Sequence, residues 1–250
     1  MKPFSNIIET AANSSLLFNK IFYYKTISST NDKCFSTGGL KNFIVIADKQ
    51  TAGKGRFNKK WISPASGSLY FSAYIYRPVI DYNDAVMLTS LAVVQVLRRY
   101  NREIRLKWPN DIIIKSKKVS GVLIEQSFEG IEPISLVIGV GINLFTDFSK
   151  IASLKDKALS LKDITEKEIE AGIIFRDIVE LFEKYYIHFT KLKKKIIKDW
   201  KKCISGINKE VRFRMKDRII KGRLIRVNND GSVVIRSAKR EMTYHFGEIV

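Results

Sequence analysis

The sequence predicts an α+β fold, in which a mixed, mainly antiparallel sheet is backed by helices and a small β-barrel follows at the C-terminus. Three β-like runs after residue 103 are separated only by turn signals, and strands connected in this way usually pair antiparallel. After residue 208 the hydrophobic pattern changes to short alternating runs, which are typical of a small β-barrel. We therefore expect two domains, residues 1–205 and residues 206–250.

The first third of the chain predicts three strands and one helix. Residues 21–27 form a β-like run, and Ser28–Ser29–Thr30–Asn31 then supplies N-cap residues for a helix towards Ser36. The β-branched run within residues 42–48 and the aromatic-rich residues 68–77 predict two further strands.

The middle of the chain predicts one helix followed by the antiparallel strands. Residues 81–100 carry apolar side chains close to helical spacing, and Asp81 and Asp84 favour the helix N-terminus. Asn110–Asp111 and Glu129–Gly130 are interpreted as turns. The three strands predicted around these turns are residues 104–108, 119–126 and 134–145.

The last part of the chain predicts two helices and the barrel. Thr165 and Glu168 form a capping-box pattern ahead of a helix that reaches about Phe189. A second, basic helix follows over residues 191–203, and Gly206 marks the boundary. The barrel strands are expected in residues 211–214, 219–227, 233–235 and 242–250, with a turn at residues 228–231.

Composition excludes several classes of protein. With 45% hydrophobic side chains over 250 residues, the chain can bury a substantial core. No apolar run reaches the roughly 20 residues that span a bilayer, and a signal-peptide pattern is absent, so we expect a cytoplasmic protein without a membrane partner. Cys34 and Cys203 have neither zinc-site spacing nor the density of a disulfide framework, so no structural metal is expected.

The net charge of +19 favours anionic partners, which include nucleic acids, anionic membranes, phosphorylated molecules and acidic proteins. Much of this charge is diffuse lysine, and the run 191–202 is interpreted as a solvated basic face. The connection of residues 49–67 differs, because it holds three glycines and five cations without one acidic residue. Loops longer than about 12 to 15 residues are usually functional or disordered. It is not a P-loop, since Gly55 stands where a hydroxyl would bind magnesium.

Four separated segments carry motifs. They are Gln50–Trp61 (QTAGKGRFNKKW), Lys107–Asp111 (KWPND) with Lys118–Glu125 (KVSGVLIE), Ile138–Asn143 (IGVGIN) and Ser28–Asn31 (SSTN). Together they resemble the biotin protein ligase family over about residues 28–143, and the C-terminal strands resemble that family's SH3-like domain. Lys54 and Asn58 depart from the family's usual arginine and glycine. Lysine keeps the charge without the planar fork, and asparagine tolerates positive φ better than most residues.

The resemblance implies a class II aminoacyl-tRNA synthetase/biotin synthetase-like fold and a reaction in two steps. Biotin and Mg–ATP form biotinyl-5'-AMP, and biotin then passes to a lysine on the biotin carboxyl carrier domain of an acetyl-CoA or propionyl-CoA carboxylase. A lipoate or other acyl-protein ligase of the same fold is one alternative, against which the KWPND segment favours biotin. A basic nucleic-acid-binding protein is the other. Because only about 27 residues precede Ser29, we expect the monofunctional form, without a DNA-binding domain or specific DNA binding.

The resemblance also assigns roles to individual residues. Lys118 bridges the biotin carboxylate and the α-phosphate, and Arg56 and Lys54 assist it in catalysis. The residues assigned to biotin binding are Ser29, Thr30, Gln50, Gly53, Lys54, Lys118 and Gly121. The residues assigned to ATP and adenylate binding are Arg56, Trp61, Lys107, Asn110, Asp111 and Asn143, with the magnesium of Mg–ATP near Asp111.

Two further expectations concern assembly and motion. The protein is expected to be a monomer or a homodimer, since an exposed strand edge such as residues 68–77 or 134–145 would let two copies pair. The connection of residues 49–67 is expected to be mobile when the site is empty and ordered over the adenylate, where it excludes water.

Overall fold

A computed structural model describes residues 15–18, 20–63, 67–216, 218–238 and 240–250. Seven strands form the main sheet in the order β1-β2-β3-β7-β6-β5-β4. The strands are β1 Ile21–Tyr24, β2 Phe43–Ala47, β3 Ser68–Tyr76, β4 Arg105–Lys107, β5 Asp111–Ile114, β6 Lys117–Glu129 and β7 Glu132–Asn143. β1 and β2 run parallel, and the other neighbouring pairs are antiparallel. The predicted mixed, mainly antiparallel sheet is confirmed.

The helices divide between the two faces of this sheet. They are α1 Thr30–Thr37, α2 Tyr82–Leu97, α3 Ala171–Ile187 and α4 Phe189–Cys203. Side chains alternate along a strand, so Ile44 and Ile46 of β2 join the main core with α2, α3 and α4, whereas Phe43 and Val45 form a smaller cluster with Cys34 of α1. Within the described ranges, none of the helices combines the length and apolar character required to cross a bilayer.

The C-terminal segment forms a second sheet of five strands in the order β11-β10-β9-β8-β12. These strands are β8 Glu210–Met215, β9 Arg218–Val227, β10 Val233–Ser237, β11 Arg240–Tyr244 and β12 Glu248–Ile249. All their pairings are antiparallel. Trp108 joins this sheet to the rest of the chain, since its ring lies 5.8 Å from that of Phe213 and its indole N–H donates to the Gly231 carbonyl at 2.8 Å. The main core is therefore continuous with the C-terminal sheet.

One strand of the main sheet was missed by the sequence prediction. Asn110–Asp111 was interpreted as a turn, but the turn covers residues 108–110 and Asp111 is the first residue of β5. The three isoleucines that follow are buried and pair with β6, and Ile112 and Ile113 also pair with β4. A run of this length beside a turn signal is too short to show the periodicity that identifies a strand.

The predicted capping box was also wrong. Ser160 and Asp163 form the capping box, and they cap a short 3-10 turn at Leu161–Ile164. Thr165 follows that turn in extended conformation, and α3 begins only at Ala171. Both hydroxyl residues have an acidic residue three positions later, so the motif alone could not separate them.

The two strand edges predicted for self-pairing are not edges. β3 lies between β2 and β7, and β7 lies between β3 and β6, so both strands are central in the sheet. The described part of β6 has a free side instead, because its pairing with β5 ends at Gly121 and the residues from 123 to 129 pair only with β7. Composition could not distinguish central from edge strands here, since both kinds of strand are runs of β-branched and aromatic residues.

Candidate active site

A row of cross-strand neighbours runs over the face of the sheet opposite the three packed helices. Tyr70 of β3 pairs with Gly141 of β7, Gly141 with Gly121 of β6, and Gly121 with Asp111 of β5. Lys107 of β4 pairs with Asp111 and completes the row. Directly opposed residues present their side chains on the same face. The two glycines therefore leave a depression, here called the glycine trough, between Tyr70 and Asp111.

The indole of Trp61 lies in the glycine trough. A methyl group added at Gly141 would stand 2.6 Å from its Cζ2 atom, and one added at Gly121 would stand 3.0 Å from its Cζ3 atom. The Trp61 backbone N–H donates to the Gly53 carbonyl at 2.9 Å, and Gly53 itself packs against the Trp61 backbone. Glycine is required at these positions because the ring passes so close to the backbone.

Lys118 reaches the trough from β6 through a bulge. The pairing of β5 with β6 shifts register between Ile112 and Ile113, which moves Lys118 to the face of Gly121. Its ammonium nitrogen lies 2.6 Å from the Asp111 carboxylate and 4.9 Å from the centroid of a Trp61 ring. The ammonium is thus held at one end of the trough by a carboxylate and an aromatic face.

Asp111 and Asn143 fix this end of the site. The Asp111 carboxylate also lies 3.8 Å from the Lys107 ammonium, so one acid is shared by two lysines. The Asn143 amide donates to the Lys118 carbonyl at 3.1 Å and to the Leu159 carbonyl at 3.2 Å. Asn143 is therefore buried behind Lys118 and holds its backbone in place.

A buried polar network borders the other end of the trough. Gln50 accepts from the Thr30 backbone N–H at 2.8 Å and from the Thr30 hydroxyl at 3.1 Å. The Ser72 hydroxyl donates to the side-chain amide oxygen of Asn31 at 2.5 Å and lies 2.7 Å from the Thr30 hydroxyl. The Asn31 amide then donates to the Glu125 carboxylate at 2.6 Å. Fixed hydroxyl and amide groups of this kind suit an uncharged polar ligand.

The loop before Trp61 docks on the C-terminal sheet. Arg56 donates to the Gly247 carbonyl at 2.8 Å, and Lys59 pairs with the Glu248 carboxylate at 2.6 Å. Phe57 and Asn58 both adopt a φ of 56°. Asparagine tolerates this left-handed conformation well, which accounts for Asn58 where the family usually has glycine.

Lys54 is held by Asp32 of α1 at the outer side of the same loop. This hydrogen-bonded ion pair is the main reason that the pKa of Lys54 is raised above its ordinary value. Because the pair is exposed to solvent, its contribution to stability is small. Lys54 thus remains positively charged at the rim of the site.

The cavity between these elements collects most of the predicted residues. Its lining includes Ser29, Thr30, Gln50, Lys54, Arg56, Trp61, Asn110, Asp111, Lys118 and Gly121. Gly53, Lys107 and Asn143 lie just behind the lining and contact Trp61, Asp111 and Lys118 respectively. Asn110 is turned towards its own strand pair, where its amide donates to the Val122 carbonyl.

Sequence reasoning missed several residues of the site. Asn31 lines the cavity and Ser72 and Glu125 hold it, while Glu248 and Ile249 bring the C-terminal sheet into the lining. Asn31 and Glu125 stood inside motifs but carried no assigned role. The position of Ser72 depends on strand register, and that of Glu248 on the packing of the second sheet.

No cluster of three or more His, Cys, Asp or Glu side chains that could hold a metal ion occurs among the described residues. Asp111 is a single carboxylate already paired with Lys118 and Lys107. Magnesium is commonly bound through one or two carboxylates together with substrate phosphates. This donor set therefore fits a magnesium ion that arrives with a nucleotide, rather than a resident metal.

Comparison with known proteins gives a consistent family. The model of the Biotin/lipoate A/B protein ligase family matches residues 23–143. The bifunctional ligase/repressor BirA of Bacillus subtilis is 29% identical over 245 residues, which cover 92% of this chain and 73% of the relative. The human biotin--protein ligase is 35% identical over 119 residues, which cover 44% of this chain and 16% of the relative.

Among solved structures, the biotin protein ligase from Aquifex aeolicus in complex with biotin and ATP superposes with a TM-score of 0.77 at 27% identity. The superposition covers 93% of this chain and 98% of that one. Fold, site and relatives together define a ligase of the Biotin/lipoate A/B type. Within this class, the relatives and solved structures support a biotin protein ligase.

Proposed function

We propose that the protein activates biotin with Mg–ATP to biotinyl-5'-AMP and then transfers the biotin to a lysine of a biotin carboxyl carrier domain. The observation that carries this proposal is the glycine trough, which has a polar network at one end and the Lys118–Asp111 pair at the other. A narrow trough with chemically different ends suits an elongated acid whose uncharged head and carboxylate must be held apart.

The polar network is assigned to the head group of biotin. Thr30, Gln50 and Asn31 line the cavity with donors and acceptors and carry no charge. Ser29 caps α1 and is buried beside them. A neutral cyclic urea needs such paired donors and acceptors, because burying it without hydrogen bonds would be costly.

The cationic end is assigned to the carboxylate and the phosphates. A carboxylate that attacks a phosphate brings two negative charges together, and Lys118 lies where both meet the trough. At an effective dielectric near 20, one opposite-charge pair at 4 Å contributes roughly 4 kcal/mol. Lys54 and Arg56 of the loop add fixed positive charge to the same cavity, where it stabilises charge that develops in the transition state.

The nucleotide is assigned to the side of Trp61, Lys107, Asn110 and Asp111. Trp61 offers an aromatic surface, and Asp111 offers one carboxylate for the magnesium of Mg–ATP. In the first step an oxygen of biotin bonds to the α-phosphorus and pyrophosphate leaves. In the second step the lysine amine of the carrier attacks the acyl carbon and AMP leaves.

The carrier domain is proposed to approach along the loop and the free side of β6. Leu123 and Glu125 of this side line the groove outside the loop together with Lys54, Lys59 and Lys60. The groove gives an extended lysine side chain a path towards the trough from outside. Its excess of lysines would speed the association of an acidic carrier domain.

The test is mass spectrometry of the reaction products with biotin or with lipoate as the acid. Wild type incubated with Mg–ATP should form biotinyl-adenylate and label a carrier domain at one lysine, and lipoate should give little product. Lys118→Ala should lower adenylate formation by about 100-fold or more. Lys117→Ala is the matched control, because Lys117 is the preceding residue but bonds the Lys155 carbonyl outside the cavity.

Preference for lipoate in this assay would mean that the protein is a lipoate ligase of the same class. An equal loss of adenylate formation in Lys117→Ala and Lys118→Ala would contradict the specific role of Lys118. Absence of any adenylate with wild type would contradict the proposed function as a whole.

A further inference from the structure

Three polar atoms are buried at the Tyr70 end of the glycine trough. They are the indole nitrogen of Trp61, the hydroxyl of Ser63 and the hydroxyl of Tyr70, and none of them has a hydrogen-bond partner of good geometry among the described residues. Buried polar groups in folded proteins are nearly always paired. Three such groups in one place therefore indicate a local arrangement that serves the adjacent site.

Strand register places Tyr70 beside the Trp61 indole. Tyr70 is the cross-strand neighbour of Gly141, and the Trp61 Cε2 atom, which is bonded to the indole nitrogen, would lie 2.8 Å from a methyl group at Gly141. Tyr70 and the indole therefore share one face of the sheet. Burial is the main cause that raises the pKa of Tyr70, and the nearby polar groups of Ser68, Ser63 and Trp61 act in the opposite direction.

The three groups are chemically able to satisfy one another. An indole nitrogen only donates, whereas the hydroxyls of tyrosine and serine both donate and accept. The indole N–H can thus donate to the Tyr70 oxygen, whose own proton is then available to Ser63. The Trp61 side chain has no other polar restraint among the described residues, since its remaining contacts are with the trough and with Lys118.

We propose that the Tyr70 hydroxyl holds the Trp61 indole flat in the glycine trough, which makes Tyr70 a positioning residue for Trp61 and, through it, for Lys118. The plane of the indole decides how much of the trough stays open. It also sets the aromatic face over which the Lys118 ammonium lies at 4.9 Å. Tyr70 itself is fully buried and does not line the cavity.

The first test observes Trp61 directly by NMR of the three indole N–H groups of the protein. Trp108 donates to the Gly231 carbonyl and Trp200 to the Ser90 hydroxyl, so both serve as internal references. The Trp61 signal is identified by its absence in Trp61→Phe. Tyr70→Phe should shift this signal and speed its exchange with solvent, and an unchanged signal would overturn the proposal.

Tyr74→Phe is the matched control. Tyr74 lies on the same face of β3 as Tyr70, and its hydroxyl donates to the Gly39 carbonyl, away from the trough. The control variant therefore also removes a hydrogen-bonding tyrosine hydroxyl, but not one near Trp61. This variant should leave all three indole signals in place. A shift of the Trp61 signal as large as that in Tyr70→Phe would mean that the effect is general to β3 and would contradict a specific contact.

The second test is kinetic and rests on the proposed function. Tyr70→Phe should lower kcat/KM for adenylate formation about three- to tenfold, as expected for one neutral hydrogen bond. In a Trp61→Phe background the same change should alter it less than about twofold, because the partner is gone. An equal fall in both backgrounds would make Tyr70 merely structural. If wild type forms no adenylate, the proposed function fails, and the NMR result alone decides on the Tyr70 contact.

Discussion

Replacing Gly141 with alanine tests the geometry of the trough in one step. Gly141 has no positive φ, so alanine is compatible with its backbone. The added methyl group would lie 2.6 Å from the Trp61 Cζ2 atom, and its three nearest atoms all belong to Trp61. Since carbon atoms approach to about 3.6 Å, the indole must retreat by about 1 Å. Displacement by about 1 Å in an active site can lower the rate about 100-fold.

Gly141→Ala is therefore expected to lower kcat/KM for biotin-dependent adenylate formation by about two orders of magnitude. Overpacking should also lower the free energy of unfolding by roughly 1 to 3 kcal/mol. Both quantities are measured, the first by a steady-state assay and the second by urea titration.

The partner of the clash is identified by a double-mutant cycle. In a Trp61→Ala background, the three atoms nearest to the methyl group at Gly141 are gone, so its cost in unfolding free energy should fall to less than about 0.5 kcal/mol. An undiminished cost in that background would refute the placement of Trp61 on Gly141. Wild-type activity in Gly141→Ala would refute the role of the trough.

Three further outcomes follow from the same structure. Glu248→Gln removes an anion shared by Lys59 and Arg214. Trypsin should then cleave the loop before Trp61 about fivefold faster. An unchanged cleavage rate would contradict the docking of this loop on the C-terminal sheet. Burial raises the pKa of the Cys34 thiol. A thiol reagent should therefore modify Cys34 at least about 100-fold more slowly in the native protein than in urea. Rapid labelling of the native protein would contradict this burial. Burial also raises the pKa of the Asp84 carboxyl above its ordinary value of 3.8. The folded protein therefore binds the carboxyl proton more tightly than the unfolded chain does, and it loses stability as the pH rises from about 4. Asp84→Asn should then become more stable relative to wild type between pH 4 and pH 7 in urea titrations, and the opposite trend would contradict the sign of the shift.

The motif residues could be predicted from the sequence because chemistry limits them to few residue types. Lys118 stands in a different segment from Gln50 and Trp61, yet all three line one cavity. Their grouping follows from strand order, which places β6 beside β7 and β7 beside β3. The resemblance of the motifs to a known family suggested a reaction, but it did not show how the segments are arranged around the cavity.

Residues that depend on register could not be predicted. Ser72 is one of several serines in the chain, and only its pairing opposite Gly139 puts it against Asn31. Lys118 would face the helices without the register shift in its strand, and no sequence signal marks that bulge. The edge assignment failed for the same reason, since pairing partners are set by packing over long distances in sequence.

The C-terminal sheet illustrates a different limit. Its alternating pattern predicted strands, and the strands are present, but nothing in that pattern places Glu248 or Ile249 at the cavity. Their position results from the contact of Trp108 with Phe213 and Gly231, and from the docking of Arg56 on Gly247. Contacts between two parts of a chain involve single residues and leave no periodic signal.

Biotin-dependent exchange of radiolabelled pyrophosphate into ATP tests the central claim most directly, because exchange requires reversible formation of an acyl-adenylate at the site. The account predicts that wild type supports exchange with biotin, and that Lys118→Ala abolishes it while Lys117→Ala retains it. Exchange without added biotin, or exchange that survives in Lys118→Ala, would contradict biotin activation at the glycine trough.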